Sequence, residues 1–253
     1  MSRISKSRRV TAFPVRWWYF AVAPVLHKEI PMAETHTLSF PWHSFDLRSR
    51  FLPEGWQREV LEVARVCAKD KYLVPSYATS REANSESQIP VHTVDGGSIA
   101  EELPWLYSLY RQQLRDMAQT LTKEEVTTAT DVRTGLTLNV QRGSQERYEC
   151  HVDWNPLSGL LYVTDHPRGS GGELLVSNRG DVRSCEEVDA DCTRIYPVAG
   201  HAIFFDGRHH SHYVNALKEE GDVRVVLAMN FYTSSHPEKN RPESLDRHLG
   251  LLT

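Results

Sequence analysis

The sequence predicts a mainly β protein with supporting helices, and three observations carry that reading. The chain has 253 residues, 40% apolar and 25% charged, enough to bury one sizeable core. From residue 135 onward, short runs rich in β-branched and aromatic residues recur between Gly, Pro, Asn and Asp: LTLNVQR, YECHVDW, GLLYVTD, GELLVS, TRIYPV, HAIFFD and DVRVVLAMNFYT. Before residue 135 the apolar positions recur at helical spacing instead. Many short strands with turn signals between them indicate an antiparallel barrel or sandwich, not alternating βαβ units.

Taken in order, residues 1–16 hold five basic residues and no acids, ahead of the apolar stretch Trp17–Leu26. That arrangement resembles a secretory signal, with Ser7-Arg8-Arg9 faintly like a twin-arginine one. The bulk of Trp17, Trp18, Tyr19 and Phe20 and the break at Pro24 argue against it, and Met32 opens a more ordinary beginning. Residues 1–31 are therefore expected to be a dispensable extension. Residues 32–253 are read as one domain: a helical support region and loop (32–134), a β core (135–233) and a polar tail that wraps the surface (234–253).

Within the support region, residues 53–70 read as a helix with Trp56, Val60, Val63 and Cys67 on one face. Residues 100–121 read as a second, its stripe Leu103, Leu106, Tyr110, Leu114, Met117 and Leu121 facing the core. Between them, 72–98 reads as a long irregular loop rich in Ser, Pro, Asn and Gly. Its polar stretch Ser76–Gln88 gains little from burial and reads either as a passive surface loop or as a lid, mobile over an empty site, with Arg81 meeting a substrate carboxylate or phosphate.

The formal charge of −4 and the lack of a basic stripe argue against a nucleic-acid partner. No apolar run approaches the roughly 20 residues of a membrane span, so a cytoplasmic protein is expected. Cys67, Cys150, Cys185 and Cys192 form no CxxC pair and no zinc-ribbon spacing. They read as free thiols, although Cys185 and Cys192, seven apart in an acidic, loop-like stretch, are near enough to meet.

The chemistry concentrates in the strand-rich half. In His151-Val152-Asp153, positions i and i+2 of a strand project to one face, so an imidazole and a carboxylate converge. One more histidine from a distant strand completes a two-His-one-carboxylate facial triad, the ligand set of non-haem Fe(II) oxygenases. Further motifs follow in order: Leu160-Leu161-Tyr162-Val163-Thr164-Asp165, Gly171-Gly172-Glu173-Leu174, Gly200-His201-Ala202-Ile203-Phe204-Phe205-Asp206, His212-Tyr213-Val214 and Gly221-Asp222-Val223-Arg224-Val225. Over roughly residues 135–233 the chain resembles the Fe(II)/2-oxoglutarate-dependent oxygenases, in particular their prolyl-hydroxylase-like branch.

The resemblance implies a double-stranded β-helix, a jelly-roll or cupin-like core. It implies Fe(II), 2-oxoglutarate and O2 as the reacting group, with His151, Asp153 and a distal histidine as metal ligands. His209, His210 and His212 compete for the last position; His212 heads the HxV strand and stands at the better spacing from Arg224. The same resemblance gives Arg224 the distal carboxylate of 2-oxoglutarate, held bidentately as lysine cannot, with Tyr162 beside it. Gln141 matches a polar cosubstrate position at which some relatives have Tyr. Arg194 and Arg147 are the reserve cations should Arg224 not serve.

Asn139, Trp154 and Arg81 are the substrate candidates, and His201, His166 and Trp154 itself read as structural or substrate-lining. With Asp153 present, chloride has no vacated ligand position, so hydroxylation, desaturation or cyclisation is expected rather than halogenation. The expected substrate is a small polar metabolite, an amino acid or a derivative of one, hydroxylated at an unactivated C–H with succinate and CO2 as coproducts. A peptidyl or protein hydroxylase and a non-catalytic cupin-like binding protein are the alternatives.

Overall fold

In the long strand Val223–Thr233, Val225, Leu227, Met229 and Phe231 project to one side, and Arg224, Val226, Ala228 and Asn230 to the other. Nearly all of them are buried, so both faces of this strand are covered. The computed structural model shows why: helices pack on one face and a second sheet faces the other. It describes residues 40–73, 75–82 and 89–248; the expected extension at 1–31 lies outside these residues, as does part of the loop or lid at 76–88.

The support region opens with β1 (His43–Asp46), α1 (Trp56–Cys67), β2 (Lys69–Leu73) and β3 (Ile89–Asp95). Then follow α2 (Gly96–Glu102), α3 (Pro104–Leu109), a π-turn (Tyr110–Leu114), α4 (Arg115–Gln119), β4 (Val126–Thr128) and α5 (Val132–Gly135). The core strands are β5 (Leu136–Arg142), β6 (Tyr148–His151), β7 (Leu157–Tyr162), β8 (Leu174–Ser177), β9 (Cys192–Ile195), β10 (His201–Phe205), β11 (His212–Val214) and β12 (Val223–Thr233). A short helix, α6 (Cys185–Ala190), precedes β9, and α7 (Glu243–His248) lies in the tail.

Eight strands form the larger sheet in the order β1-β10-β7-β12-β5-β3-β2, with β4 on β12, and four form the smaller one, β6-β11-β8-β9. All pairings are antiparallel, as expected of the jelly roll. Between the sheets Phe40, Tyr162, Leu174, Val176, Ile203, Phe205 and Val226 make an apolar core. Outside the large sheet Val60, Ile99, Leu106, Tyr110 and Leu114 pack on Leu138, Leu161, Phe204 and Leu227.

Three expectations need correction here. The stretch 100–121 is not one helix: it begins at Gly96, where the Asp95 carboxylate caps Ser98 N–H at 3.0 Å, and breaks at Leu103–Pro104. Proline denies its predecessor the helical conformation, and Leu103 adopts φ −129°, ψ 59°. The irregular loop 72–98 instead contributes the edge hairpin β2–β3, whose charged residues and Pro90 conceal the strand pattern. The acidic stretch around Cys185 holds a helix capped by Ser184, which accepts from Glu187 N–H. All four cysteines are free, and Cys185 and Cys192 pack with Cys150 in a cluster beneath that helix.

Candidate metal centre

The site begins with a register. His212 on β11 stands directly opposite His151 on β6, and the pairing shifts by one residue between this pair and Val214–Tyr148. Directly opposed residues share a face, so both imidazoles point between the sheets with ring centroids 4.3 Å apart. The irregularity sets their angle, as β-bulges commonly do beside active sites.

Asp153 lies two residues beyond the end of β6, not within it. It is aimed by other parts of the fold: its N–H donates to the Gly207 carbonyl at 3.1 Å, and Ser158 Oγ donates to its Oδ2 at 2.5 Å. His151 Nε2 and His212 Nε2 each stand 3.5 Å from Asp153 Oδ1. Cis ligands at bonds of about 2.1 Å lie about 3 Å apart, so only a small contraction separates this cluster from a coordination face. His151, Asp153 and His212 are the metal-capable cluster among the described residues.

Both imidazoles are held in the tautomer a metal requires. His151 Nδ1 donates to the Glu149 carbonyl at 2.8 Å and His212 Nδ1 to the His210 carbonyl at 2.9 Å, leaving each Nε2 lone pair facing the centre. Burial disfavours charge on His151, but the adjacent Asp153 carboxylate outweighs it and raises its pKa to about 8. Burial likewise disfavours the charged form of Asp153, yet His212 and His151 hold it well below the usual carboxylate range. The competing histidines do other things: His210 Nδ1 donates to the Ser177 carbonyl at 2.8 Å and its ring stacks edge-on against Phe40, while His209 stands outside the cluster.

Arg224 is only 2% exposed, and its Nε and Nη2 have no hydrogen-bond partner. The Tyr162 hydroxyl is equally buried and unpartnered, and the guanidinium carbon stands 5.7 Å from its ring centre. Burial pushes Tyr162 up to about 12 and lowers Arg224. A buried, unpaired guanidinium beside an unpaired hydroxyl costs several kcal/mol unless an anion joins them, which fits a bidentate carboxylate. The Gly171-Gly172 pair makes room: Cβ atoms there would lie 2.1 Å from the Ala216 carbonyl oxygen and 3.1 Å from Arg224 Cδ, and φ is 79° and 74°. His166 abuts Arg224, and burial, then the Arg224 charge, lowers its pKa.

A chamber of about 320 Å³ runs from the metal cluster between the sheets, and Asn139 and Trp154 line it. Gln141 does not: its amide nitrogen is used up on the carbonyls of Glu146 (2.9 Å) and Asn215 (2.8 Å), tying β5 to the following turn and to the end of β11. Arg81 does not either. It borders a separate cleft with Glu82 and Arg147, and its Nε donates to Ser211 Oγ at 3.1 Å. Arg147 pairs with Glu82 and Arg194 with Glu173, so neither reserve cation faces the chamber.

Several site residues carry little sequence signal. Gly207 is required because a Cβ would fall 2.2 Å from Asp153 Oδ2. Ser158, a lone hydroxyl in an apolar strand, was the available hint of a polar task. Glu149, Thr79 and Thr93, and Leu245 and His248 from the tail, complete the walls.

Together these features make a jelly roll with a metal-capable His-Asp-His cluster beside a buried, unpaired guanidinium. Residues 136–232 match the model of the 2OG-Fe(II) oxygenase superfamily, and the metal-capable cluster lies within that match. Among solved structures, a Trichoplax adhaerens prolyl hydroxylase in complex with a hypoxia-inducible-factor peptide fragment is 14% identical, covering 79% of this chain and 87% of its own, at TM-score 0.55. The non-haem α-ketoglutarate-dependent carbocyclase SnoK from nogalamycin biosynthesis is 14% identical over 84% of this chain and 86% of its own, also at 0.55. The epimerase SnoN, in complex with Fe3+, α-ketoglutarate and nogalamycin RO, is 12% identical over 76% and 79%, at TM-score 0.50. No curated protein matches the chain by sequence.

Proposed function

We propose that the protein hydroxylates an unactivated C–H bond of a small polar metabolite, an amino acid or a derivative of one. The observation that carries this reading is the size of the chamber. About 320 Å³ must hold both 2-oxoglutarate and the substrate, the low end of ligand-site volumes. SnoN and SnoK, which act in natural-product biosynthesis, have the same fold, and the fold is compatible with such substrates.

When bound, Fe(II) with 2-oxoglutarate supplies an oxidant from O2, releasing succinate and CO2 and placing one oxygen atom in the substrate. The chain's own residues do the rest. His151, Asp153 and His212 would hold the metal from one side, with their orientation fixed by the Glu149 and His210 carbonyls, Ser158 and Gly207. Arg224 and Tyr162 would hold the distal carboxylate. Leu174, Phe205, Val214 and Val226 wall that end of the chamber with apolar surface and keep water out.

A peptidyl hydroxylase is the second reading. Tyr72 on the edge strand β2, adjacent in sequence to Lys71 of the chamber lining, and Tyr77 after the strand are 66% and 80% exposed, as residues of a peptide-binding margin would be. Screening amino acids, related metabolites and proline-containing peptides for succinate release, with product mass at plus sixteen, decides between them. Stimulation by small metabolites alone supports the first reading. Stimulation by peptides alone replaces it with the second.

A further inference from the structure

Among the described residues five buried side-chain atoms lack a hydrogen-bond partner: Thr93 Oγ1, Tyr162 OH, Glu173 Oε2 and two nitrogens of Arg224. Buried unpartnered polar groups are uncommon and mark places where something else completes the bonding. Arg224 and Tyr162 await the 2-oxoglutarate carboxylate. Glu173 is already engaged through its other oxygen, by Arg194 at 3.2 Å and Asn215 at 3.3 Å. Thr93 remains, and the cosubstrate does not account for it.

The sheet register places Thr93. Tyr162 on β7 pairs with Val226 on β12, Val226 with Asn139 on β5, and Asn139 with Thr93 on β3. These four form one row across the sheet and share its interior face. Strands are about 4.8 Å apart, so Thr93 and Asn139 stand two to three strands beyond Tyr162, on the side of the chamber away from the cosubstrate pocket. Thr93 is 6% exposed and lines the chamber with Asn139, whose side-chain amide makes no hydrogen bond among the described residues.

The charged groups around the chamber are already occupied or lie at its rim. Asp95 accepts from Ser98 N–H and Oγ, and Arg133 pairs with Asp131 at 2.6 Å. Glu149 accepts from Ser80 Oγ at 2.9 Å and faces His248 at 3.6 Å, and Arg241 pairs with Asp246. Lys71 is exposed. From this we infer that Thr93 and Asn139 form a substrate subsite for an uncharged hydroxyl or carboxamide group, so that the part of the substrate inside the chamber is neutral. This rests on the metabolite-hydroxylase reading and narrows it to polyols and to amino acids whose amine and carboxylate are masked as amides.

The test uses the whole protein loaded with Zn(II), which does not turn over, and 2-oxoglutarate. Calorimetric titration compares N-acetyl amino-acid amides and small polyols with the corresponding free amino acids. The inference expects neutral compounds to bind at least about tenfold more tightly than the zwitterions. Thr93→Val should weaken that binding about tenfold and Thr93→Ser should retain it, with 2-oxoglutarate affinity unchanged in both. Thr93→Val should also raise the Tm of the unliganded protein, because an unpartnered buried hydroxyl is removed. Binding of free amino acids alone, no binding by any neutral compound, or full affinity in Thr93→Val overturns the inference. Failure of the wild-type protein to take up Zn(II) and 2-oxoglutarate is seen before any such compound is added, and overturns the reading of the site beneath it.

Discussion

At the scale of single residues the site is a set of mutually dependent placements, and each can be broken separately. Asp153→Ala is expected to abolish stoichiometric Fe(II) binding while circular dichroism stays native, because the carboxylate lies at the strand end and supports no core. Ser158→Ala and Gly207→Ala act on Asp153 from either side. Loss of such supporting contacts should weaken metal affinity roughly 10–100-fold, read by competition with a chelator. Gly207→Ala should be the worse, since its Cβ would clash with Oδ2 at 2.2 Å. Arg224→Ala should raise the 2-oxoglutarate Kd by about two decades, and Arg224→Lys should restore only part, because an ammonium cannot supply the forked pair. An unchanged Kd in Arg224→Ala would move the carboxylate elsewhere.

At the scale of elements, the described part of the segment after β2 is tied to the core strands. Arg81 N–H donates to the Cys150 carbonyl at 2.7 Å, Val152 N–H to Thr79 at 3.0 Å, and Ser80 Oγ to Glu149. Residues 79–82 are thus fastened along β6, the strand that carries His151. Their amides should be protected from hydrogen exchange in the ligand-free protein, and rapid exchange at Arg81 would restore the lid. Glu82 holds this fastening by accepting from Arg147 and from Cys150 N–H. Burial opposes its charge, but Arg147 and the amide outweigh burial and set its pKa below the ordinary 4.5. The stability it contributes is therefore full above pH 4.5 and is lost as pH falls through the lower folded value. Glu82→Gln should lower Tm at neutral pH and flatten its fall in acid.

At the scale of the molecule, the tail is part of the chamber. Ser244 Oγ lies 3.0 Å from Ser76 Oγ, and Leu245 and His248 contribute wall. Truncation after Pro242 should leave 2-oxoglutarate binding intact and raise the substrate KM at least about tenfold; an unchanged KM would make α7 a bystander.

The sequence by itself determined the antiparallel β core, and the resemblance of its ordered motifs pointed to His151, Asp153 and His212, because alternation and motif spacing are local properties of the chain. Asp153 lies beyond β6, so its aim comes from the tertiary structure. It also marked Arg224, since a charge among Val223, Val225 and Val226 has few other uses. It misread Gln141 and Arg81, whose bonding depends on carbonyls and hydroxyls brought in from distant segments. It placed the tail on the surface, because polarity alone does not distinguish solvent from a polar chamber wall. The β5 run Leu136–Arg142 shows the reason most plainly: its alternation of apolar and polar residues is that of a half-exposed strand, and only the second sheet turns Thr137, Asn139 and Gln141 inward. Periodicity says that a strand has two unlike faces; which of them meets water is decided by what the rest of the chain lays across it.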